Sequence, residues 1–299
     1  MKRSKITILL AIVLGMTFHS CLDLEPQDQL GGKNMWTSVN DYKQFANTFY
    51  SWTRDFSSVV YDGTHSDKRS DLITYQSYNE FSRGINSIPS SDANYTDNYK
   101  HIRRTNLLLQ NAEAYAKPED IKQYIGEAYF FRAYSYFDLL QLYGDVIITK
   151  KPLDITDPEM KVKRNDRSEV VDLIIDDLNH AVENLPAFKE LTTEEEGRIS
   201  KEGAQAFLSR VALYEGTWQK SRNGNQNTQR SANLLDIAAK AARTVIDAKY
   251  GYTFRLFGTD SETKILGDSA QKYMFILENE KSNPAGIKKS SNHEYIFAR

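Results

Sequence analysis

The chain has 299 residues, of which 40% are hydrophobic, so it holds enough apolar material for a sizeable folded core. Its formal net charge is −2 at pH 7, and it becomes −5 (35 basic minus 40 acidic residues) without residues 1–20, which hold three bases and no acid. A mildly acidic body argues against a nucleic-acid partner, because phosphate binding requires concentrated positive charge.

The N-terminus has the layout of a secretory signal that ends at a lipid attachment site. Three basic residues precede the apolar segment 6–18, which is too short to span a bilayer. Cys21 follows shortly after it, and as the single cysteine it has no partner for an internal disulfide. We predict a bacterial lipoprotein signal peptide over residues 1–20 and a covalent lipid on Cys21, where more than one acyl chain gives a stable anchor. The alternative is an ordinary signal peptide that ends near a cysteine.

Residues 21–34 are predicted to form a flexible acidic leader between this anchor and a folded body over 35–299. Asp23 and Glu25 keep the leader polar, and a pair of glycines gives its backbone further freedom. Acidic residues just after a lipidated cysteine also fit a signal for sorting to the cell surface. A plain solvated linker explains them equally well.

Helical periodicity dominates the body of the chain. Apolar residues recur at helical spacing in six segments, which are 38–50, 99–116, 119–143, 166–185, 200–218 and 234–248. The second half of 119–143 is apolar nearly all round and is followed by Gly144, which predicts a helix that is buried between other elements and ended by glycine. Arg132 and Asp138 lie six apart on this helix, so we expect each to find its partner on a neighbouring helix.

The order of these segments predicts stacked helix hairpins. We expect 101–116 to pair with 119–143 and 167–185 to pair with 200–218, as in helical-repeat proteins. Beyond residue 250 the pattern becomes short and mixed, and strands are expected at 273–278 and 294–298.

One segment carries a specific signature. Residues 126–149 read GEAYFFRAYSYFDLLQLYGDVIIT. They resemble the motif E-A-x-F-x-R-A-x-x-Y-F-D-L-x-x-x-Y-G-D-V-P of the SusD/RagB family of outer-membrane nutrient-binding lipoproteins, with Ile147 where the family usually has proline. Residues 99–111, 197–218 and 238–250 are similar to three further family segments in the same order, so the resemblance covers nearly the whole chain.

The resemblance implies a mostly α fold, with a tetratricopeptide-like helix-pair scaffold, long loops and a few short strands. It implies no catalysis and no cofactor. Members lie on the outer membrane facing the cell exterior, where they cap a SusC-like TonB-dependent transporter and capture oligosaccharides, or peptides in the RagB branch. Because members are commonly far longer than 299 residues, we expect the SusD-like domain over 35–299 to be an N-terminal part that lacks a C-terminal half.

Residues 51 to about 95 lose the helical period but keep many aromatic side chains, and a long loop of this kind is typically functional. Sugars bind through aromatic faces and through paired hydrogen bonds from planar polar side chains. Both kinds alternate here, and the predicted ligand-binding residues are Tyr61, Asp67, Arg69, Tyr75, Tyr78, Phe81 and Tyr95. The alternative is that each aromatic packs beneath its own loop.

No sequence motif for catalysis or metal binding stands out, because the histidines are scattered and neither HExxH, GxSxG nor a phosphate-binding loop occurs. We therefore interpret the protein as a surface receptor for an oligosaccharide or starch-like polysaccharide. A receptor for peptides or other nutrients and a non-catalytic scaffold that binds proteins are the alternatives. A glycan is favoured if Tyr→Ala changes abolish binding and binding does not depend on salt, whereas a peptide is favoured if binding weakens as salt rises. A protein-binding scaffold would still bind its partner after deletion of the 61–99 loop.

Overall fold

A computed structural model describes residues 35–54, 83–85, 87–195, 197–222, 228–277, 279–289 and 292–297. Within these ranges the chain consists of helices and connecting segments, and strand-like pairing is limited to one isolated antiparallel bridge between Val146 and Asn165. The predicted mostly α class is confirmed. The short strands that accompanied this prediction do not occur in the described ranges.

The α-helices in these ranges are α1 (Val39–Asn47), α2 (Ala93–Glu113), α3 (Lys122–Tyr143), α4 (Arg167–Asn184), α5 (Lys201–Arg222), α6 (Thr228–Ile246) and α7 (Ala270–Ile276). Short 3-10 helices cover Thr48–Trp52, Pro118–Ile121, Pro158–Lys161, Phe188–Glu190, Thr193–Glu195, Lys264–Ser269 and Glu280–Ser282. In the described helices, no span is both long and apolar enough to cross a bilayer.

Side-chain caps explain where three of the helices begin. Ser38 and Asp166 each accept a hydrogen bond from the first turn of α1 and α4, and an acid three residues later closes a capping box. Asp92 caps α2 by accepting a hydrogen bond from the Asn94 N–H at 2.9 Å. Because Asp92 starts the helix, α2 begins six residues before the predicted residue 99.

Helix α3 is buried on most sides, as its sequence predicts. A Cβ built on Gly126 would lie 2.9 Å from Leu185 Cγ, so glycine permits the close approach of α3 to the end of α4. Gly144 ends α3 with φ at 73°, a conformation that favours glycine, and the predicted stop is confirmed.

Each of the first three long helices, α2, α3 and α4, runs antiparallel to the next one along the chain. The Tyr143 hydroxyl at the end of α3 contacts the Asp92 carboxylate at the start of α2 at 2.7 Å. Arg167 at the start of α4 donates to the Leu140 carbonyl near the end of α3 at 3.3 Å. The start of α2, the end of α3 and the start of α4 therefore lie at one end of the stack.

The same alternation continues through α5 and α6. Arg167 in the first turn of α4 pairs with Glu215 late in α5, with Nη2–Oε2 at 2.8 Å. Ser231 in the first turn of α6 donates to the Gly216 carbonyl of α5 at 2.8 Å. The stack of hairpins predicted from the sequence is thus present, and each long helix packs against the next one along the chain.

The core is aromatic where α1 meets the stack. Tyr42, Phe45 and Phe49 of α1 and its 3-10 extension are buried, and Phe49 lies 5.8 Å from Phe131 of α3 between ring centroids. This packing accounts for part of the high aromatic content, since such rings bury large apolar areas. A separate small cluster, formed by Phe257, Leu266 and Leu277, lies in the C-terminal region.

Buried arginine–carboxylate pairs join the helices of the stack. Three such pairs in the described ranges have N–O distances of 2.6, 2.7 and 2.8 Å, and they are Arg132–Asp177, Arg198–Glu127 and Arg167–Glu215. Arg132 thus finds its partner on α4, as predicted. The partner of Asp138 is Arg54, which follows the 3-10 helix Thr48–Trp52 and does not lie on a neighbouring helix as expected.

Helix α5 ends later and helix α6 begins earlier than predicted. Helix α5 extends to Arg222 rather than 218, and α6 begins at Thr228 rather than 234. The first turn of α6 is tied to α5 by the Ser231 hydroxyl, which donates to the Gly216 carbonyl.

The two predicted C-terminal strands are wrong. Residues 270–276 form α7, and the described part of 294–298 consists of turns and bends. Short apolar runs do not distinguish a strand from a helical turn by periodicity, and no neighbouring strand is available for pairing in the described ranges.

Candidate functional site

Most of the predicted ligand-binding residues lie outside the described ranges. They are Tyr61, Asp67, Arg69, Tyr75, Tyr78 and Phe81, and the predicted lipid-bearing Cys21 lies outside as well. These assignments stay predictions. Tyr95 is the member of the set whose position is described, and it lies in the first turn of α2 rather than in the predicted loop.

Tyr95 lines an open pocket of about 460 Å³ between α2 and the segment that follows α3. We call it the Tyr95 pocket, and its lining consists of Tyr95, Thr96, Tyr99, Lys100, Arg103, Ile147, Thr149, Lys151, Leu153, Ile155, Glu159 and Met160. It therefore combines two aromatic rings with aliphatic side chains and several charged groups, a composition that is typical of small-ligand sites.

The aromatic wall of the pocket is held in a fixed arrangement. The Tyr95 ring centroid lies 4.8 Å from that of Tyr99 and 5.2 Å, edge to face, from that of Tyr143. Tyr143 of α3 is in turn fixed by its contact with Asp92, which caps α2, the helix that carries Tyr95. Because both neighbours of Tyr95 are anchored, its partly exposed ring is presented to the pocket in one orientation.

The floor of the pocket is the segment 147–151, which belongs to no helix and is held by side chains in place of a neighbouring strand. The Tyr99 hydroxyl accepts from the Ile147 N–H at 2.9 Å and donates to the Ile147 carbonyl at 2.8 Å. The Tyr136 hydroxyl accepts from the Thr149 N–H at 2.8 Å. Backbone groups of the floor are therefore satisfied by side chains from α2 and α3.

Burial and the neighbouring Tyr95 hydroxyl raise the pKa of Tyr99 far above its usual range. The hydroxyl therefore remains protonated and able to donate throughout the physiological pH range. This state suits its position against the Ile147 carbonyl, which needs a donor.

Asn106 of α2 joins the floor to the buried ion pair behind it. Its amide nitrogen donates to the Thr149 carbonyl at 2.9 Å and to the Lys151 carbonyl at 3.3 Å. Its amide oxygen accepts from Arg132 Nη1 at 2.8 Å, and Arg132 is bound at two points to Asp177. The Arg132–Asp177 pair thereby orients the amide that holds the pocket floor.

The rim of the pocket is charged and partly apolar. Lys151 Nζ lies 2.7 Å from Glu159 Oε1, and Arg103 Nη2 lies 3.8 Å from Asp154 Oδ1. Ile155 is 93% exposed and Met160 is 52% exposed, although both are apolar. Exposed apolar side chains beside rigid aromatic rings offer a surface for the C–H face of a ligand, and the ion-paired groups offer hydrogen bonds to hydroxyls.

Sequence reasoning missed the whole floor and rim of this pocket. Residues 147–160 carry no helical period, and their contribution depends on hydrogen bonds from Tyr99, Tyr136 and Asn106, which come from elsewhere in the chain. A usable signal was the placement of apolar Ile155 between Pro152 and Pro158, and of apolar Met160 two residues after Pro158, in a mostly polar loop.

In the described part of the chain, no group of three or more His, Cys, Asp or Glu side chains is arranged to hold a metal ion. The two tyrosine rings and the charged side chains that line the Tyr95 pocket are suited to stacking and hydrogen bonding with a ligand.

Comparison with known proteins identifies relatives of this fold. A family model of SusD-like proteins, described as starch-binding and associating with the outer membrane, matches residues 22–213. SusD-like protein P38 of Formosa agariphila is 28% identical over 233 residues, which cover 71% of this chain and 42% of that protein. SusD-like protein P2 of the same organism is 26% identical over 316 aligned residues, which cover 99% of this chain and 59% of that protein.

A crystal structure of a SusD-like protein from Bacteroides fragilis superposes with a TM-score of 0.63 at 22% identity, covering 91% of this chain and 46% of that one. The chain thus spans about half the length of the relatives it matches. The stacked helix pairs described above are the fold that the two structures share. Since the family model covers well over half of its residues, the chain belongs to the SusD-like family.

Proposed function

We propose that this protein is a non-catalytic receptor that binds a glycan, an oligosaccharide or starch-like polysaccharide, at the cell surface. The family description as starch-binding supports the ligand class. The observation that carries the proposal is the Tyr95 pocket, in which two fixed tyrosine rings lie beside ion-paired polar groups. Aromatic faces and charged hydrogen-bonding groups together suit the alternating C–H and hydroxyl surfaces of a sugar.

The proposal extends to the membrane and to a partner. Association with the outer membrane is part of the family description. A lipid on Cys21 is the proposed anchor, with the body facing the exterior and the acidic leader as its tether. A SusC-like TonB-dependent transporter is the proposed acceptor of the captured glycan.

The experiment is a panel of neutral polysaccharides and oligosaccharides, tested by affinity electrophoresis and calorimetry on the full chain in detergent. Tyr95→Ala should weaken binding at least tenfold, because it removes a stacking face, whereas Tyr95→Phe should retain most of the affinity. Tyr295→Ala is the matched control, since Tyr295 is 37% exposed and does not line the pocket.

A folded protein with no affinity for any glycan would overturn the proposal, and peptides would then be tested at rising salt. If Tyr95→Ala and Tyr295→Ala leave glycan binding equally intact, the Tyr95 pocket is not the glycan-binding site. In that case the predicted aromatic residues of the 61–81 segment would be changed to alanine next.

A further inference from the structure

A second pocket, of about 340 Å³, lies at the other end of the helical stack. We call it the lysine pocket, and it is lined by Ala187, Lys189, Glu190, Lys201, Ala248, Lys249, Tyr250 and Gly251. These residues follow α4, begin α5 and follow α6, whereas the Tyr95 pocket lies where α3 ends. Since α4 has 18 residues at a rise of 1.5 Å each, the two ends are about 27 Å apart.

The turn after α6 gives the lysine pocket its shape. Ala248 and Gly251 both have positive φ, at 53° and 84°, and the Gly251 N–H donates to the Ala248 carbonyl at 2.8 Å. A Cβ built on Gly251 would lie only 2.5 Å from Lys189 Nζ. Glycine therefore lets the Lys189 ammonium lie directly against the backbone of this turn.

Tyr250 supplies an oriented ring in the same pocket. Its hydroxyl accepts a hydrogen bond from Gln205 Nε2 of α5 at 3.1 Å. Lys201 Nζ lies 6.0 Å from the centre of the ring. An aromatic face and an ammonium group are thus held side by side at the start of α5.

The charge of the lysine pocket is unbalanced. Three lysines face one carboxylate, Glu190, which accepts a hydrogen bond from the Ala187 N–H at 2.9 Å. Within the described ranges none of the three lysines has a carboxylate oxygen within 4.0 Å, whereas Lys151 and Lys240 have one at 2.7 and 2.6 Å. Three ammonium groups around one concavity attract an anion, because the low-dielectric walls focus their field.

We propose that the lysine pocket binds an oxyanion carried by a sugar chain, either a sulfate ester or a uronate carboxylate. Lysine ammonium groups bind such oxyanions through charge-assisted hydrogen bonds, and the Tyr250 ring offers a stacking face to the sugar that carries the charge. The choice of a sugar-borne ligand rests on the proposed glycan function. The lysine pocket is separate from the Tyr95 pocket, so each of the two sites can be supported or refuted without the other.

The test compares dextran sulfate with neutral dextran of the same length, and polygalacturonate as the carboxylate-bearing polymer, by calorimetry on the full chain. The triple variant Lys189→Gln, Lys201→Gln, Lys249→Gln should lose at least tenfold in affinity for a charged polymer that the unchanged protein binds. Its matched control is Lys117→Gln, Lys220→Gln, Lys264→Gln, which removes the same charge at exposed lysines outside the pocket.

Equal losses in the two triple variants would overturn the proposal, because binding would then reflect only the overall charge of the surface. Absence of binding to both charged polymers would overturn it as well. Tyr250→Ala should weaken binding of the charged polymer while leaving the affinity for inorganic sulfate unchanged, and an unaltered polymer affinity would refute the role of the sugar ring. Neutral-glycan binding at the Tyr95 pocket should be the same in every one of these variants.

Discussion

Arg132 and Asp177 form a two-point ion pair, with Nε–Oδ2 at 2.8 Å and Nη2–Oδ1 at 2.6 Å, and their side chains are only 6% and 1% exposed. The pair joins α3 to α4, and through Asn106 it reaches α2. Burial raises the pKa of the Asp177 carboxyl, while the adjacent guanidinium opposes that rise. Asp177 therefore depends on Arg132 to remain charged inside the core, and the guanidinium of Arg132 depends on Asp177 for a buried counter-charge.

Removing one partner of this pair should be far more damaging than removing both. Arg132→Met leaves Asp177 buried without its cation, and we expect the free energy of unfolding to fall by about 3–5 kcal/mol. The double variant Arg132→Met, Asp177→Leu should recover most of this loss, because no charge is then left buried. Urea denaturation of the three proteins measures the difference. A single variant within about 1 kcal/mol of the unchanged protein would contradict this account.

Asn106→Ala should disturb the Tyr95 pocket without touching a ligand. It removes the two hydrogen bonds to the Thr149 and Lys151 carbonyls and the one that the Asn106 amide oxygen accepts from Arg132 Nη1. We therefore expect a loss of stability of about 1–3 kcal/mol and a several-fold weaker affinity for any glycan bound in that pocket. Asn111→Ala is the control, because the Asn111 amide donates to Leu107 on its own helix, at 2.7 Å.

Stability should be measured for both asparagine variants by urea denaturation, and affinity by calorimetry under conditions where each is folded. Equal affinity in the two variants would show that the floor of the pocket needs no support from Asn106.

The stability of the protein should fall between pH 7 and pH 5 partly because of His101. This ring stacks on Trp52 with a centroid distance of 4.1 Å, and burial lowers the pKa of His101 to about 4. The unfolded state, with an imidazole pKa of about 6.5, binds more protons in this window, so the free energy of unfolding decreases as pH falls. After allowance for solvent screening of the partly exposed ring, we expect His101 to account for a decrease of about 1 kcal/mol in the free energy of unfolding between pH 7 and pH 5.

His101→Gln is the comparison protein for this pH effect. Denaturation curves at pH 7, 6 and 5 should show that the free energy of unfolding declines less steeply with falling pH for His101→Gln. Carboxylates that also titrate contribute equally in both proteins, so their contribution cancels when the two are subtracted. Parallel declines would mean that His101 does not carry the effect.

Lipid attachment at Cys21 is a separate prediction from the sequence. Cys21→Ser should abolish incorporation of labelled palmitate and move the protein from the membrane fraction to the aqueous fraction, because the acyl chains supply the anchor. Intact mass spectrometry of the unchanged protein should show an N-terminal acylated Cys21. A mature protein cleaved near this position without lipid would favour the ordinary signal peptide.

The helical scaffold was predictable because long periodic segments and local caps encode it. Ser38 starts α1 and Gly144 ends α3 through interactions with neighbours a few residues away, so both are visible in the sequence. Arg132 was correctly expected to find a partner on a neighbouring helix, but its link to Asn106 depends on the antiparallel packing of α2 and α3.

The pockets were less predictable because they form where distant segments meet. Tyr95 was identified as a candidate, yet its companion Lys151 comes from a segment more than fifty positions later that has no periodicity. The three lysines of the second pocket are likewise spread over 189–249. Nothing in their local sequence brings them together.

The floor of the Tyr95 pocket separates structural support from ligand contact. Tyr99 and Asn106 hold residues 147–151 through backbone atoms of that segment, and Tyr136 contacts both the backbone and the side chain of Thr149. The side chains at 147 and 151 are therefore free to vary while the same hydrogen bonds keep the backbone in place. Exchanging these two side chains is a direct way to redesign which ligand the pocket accepts, with little change to the scaffold behind it.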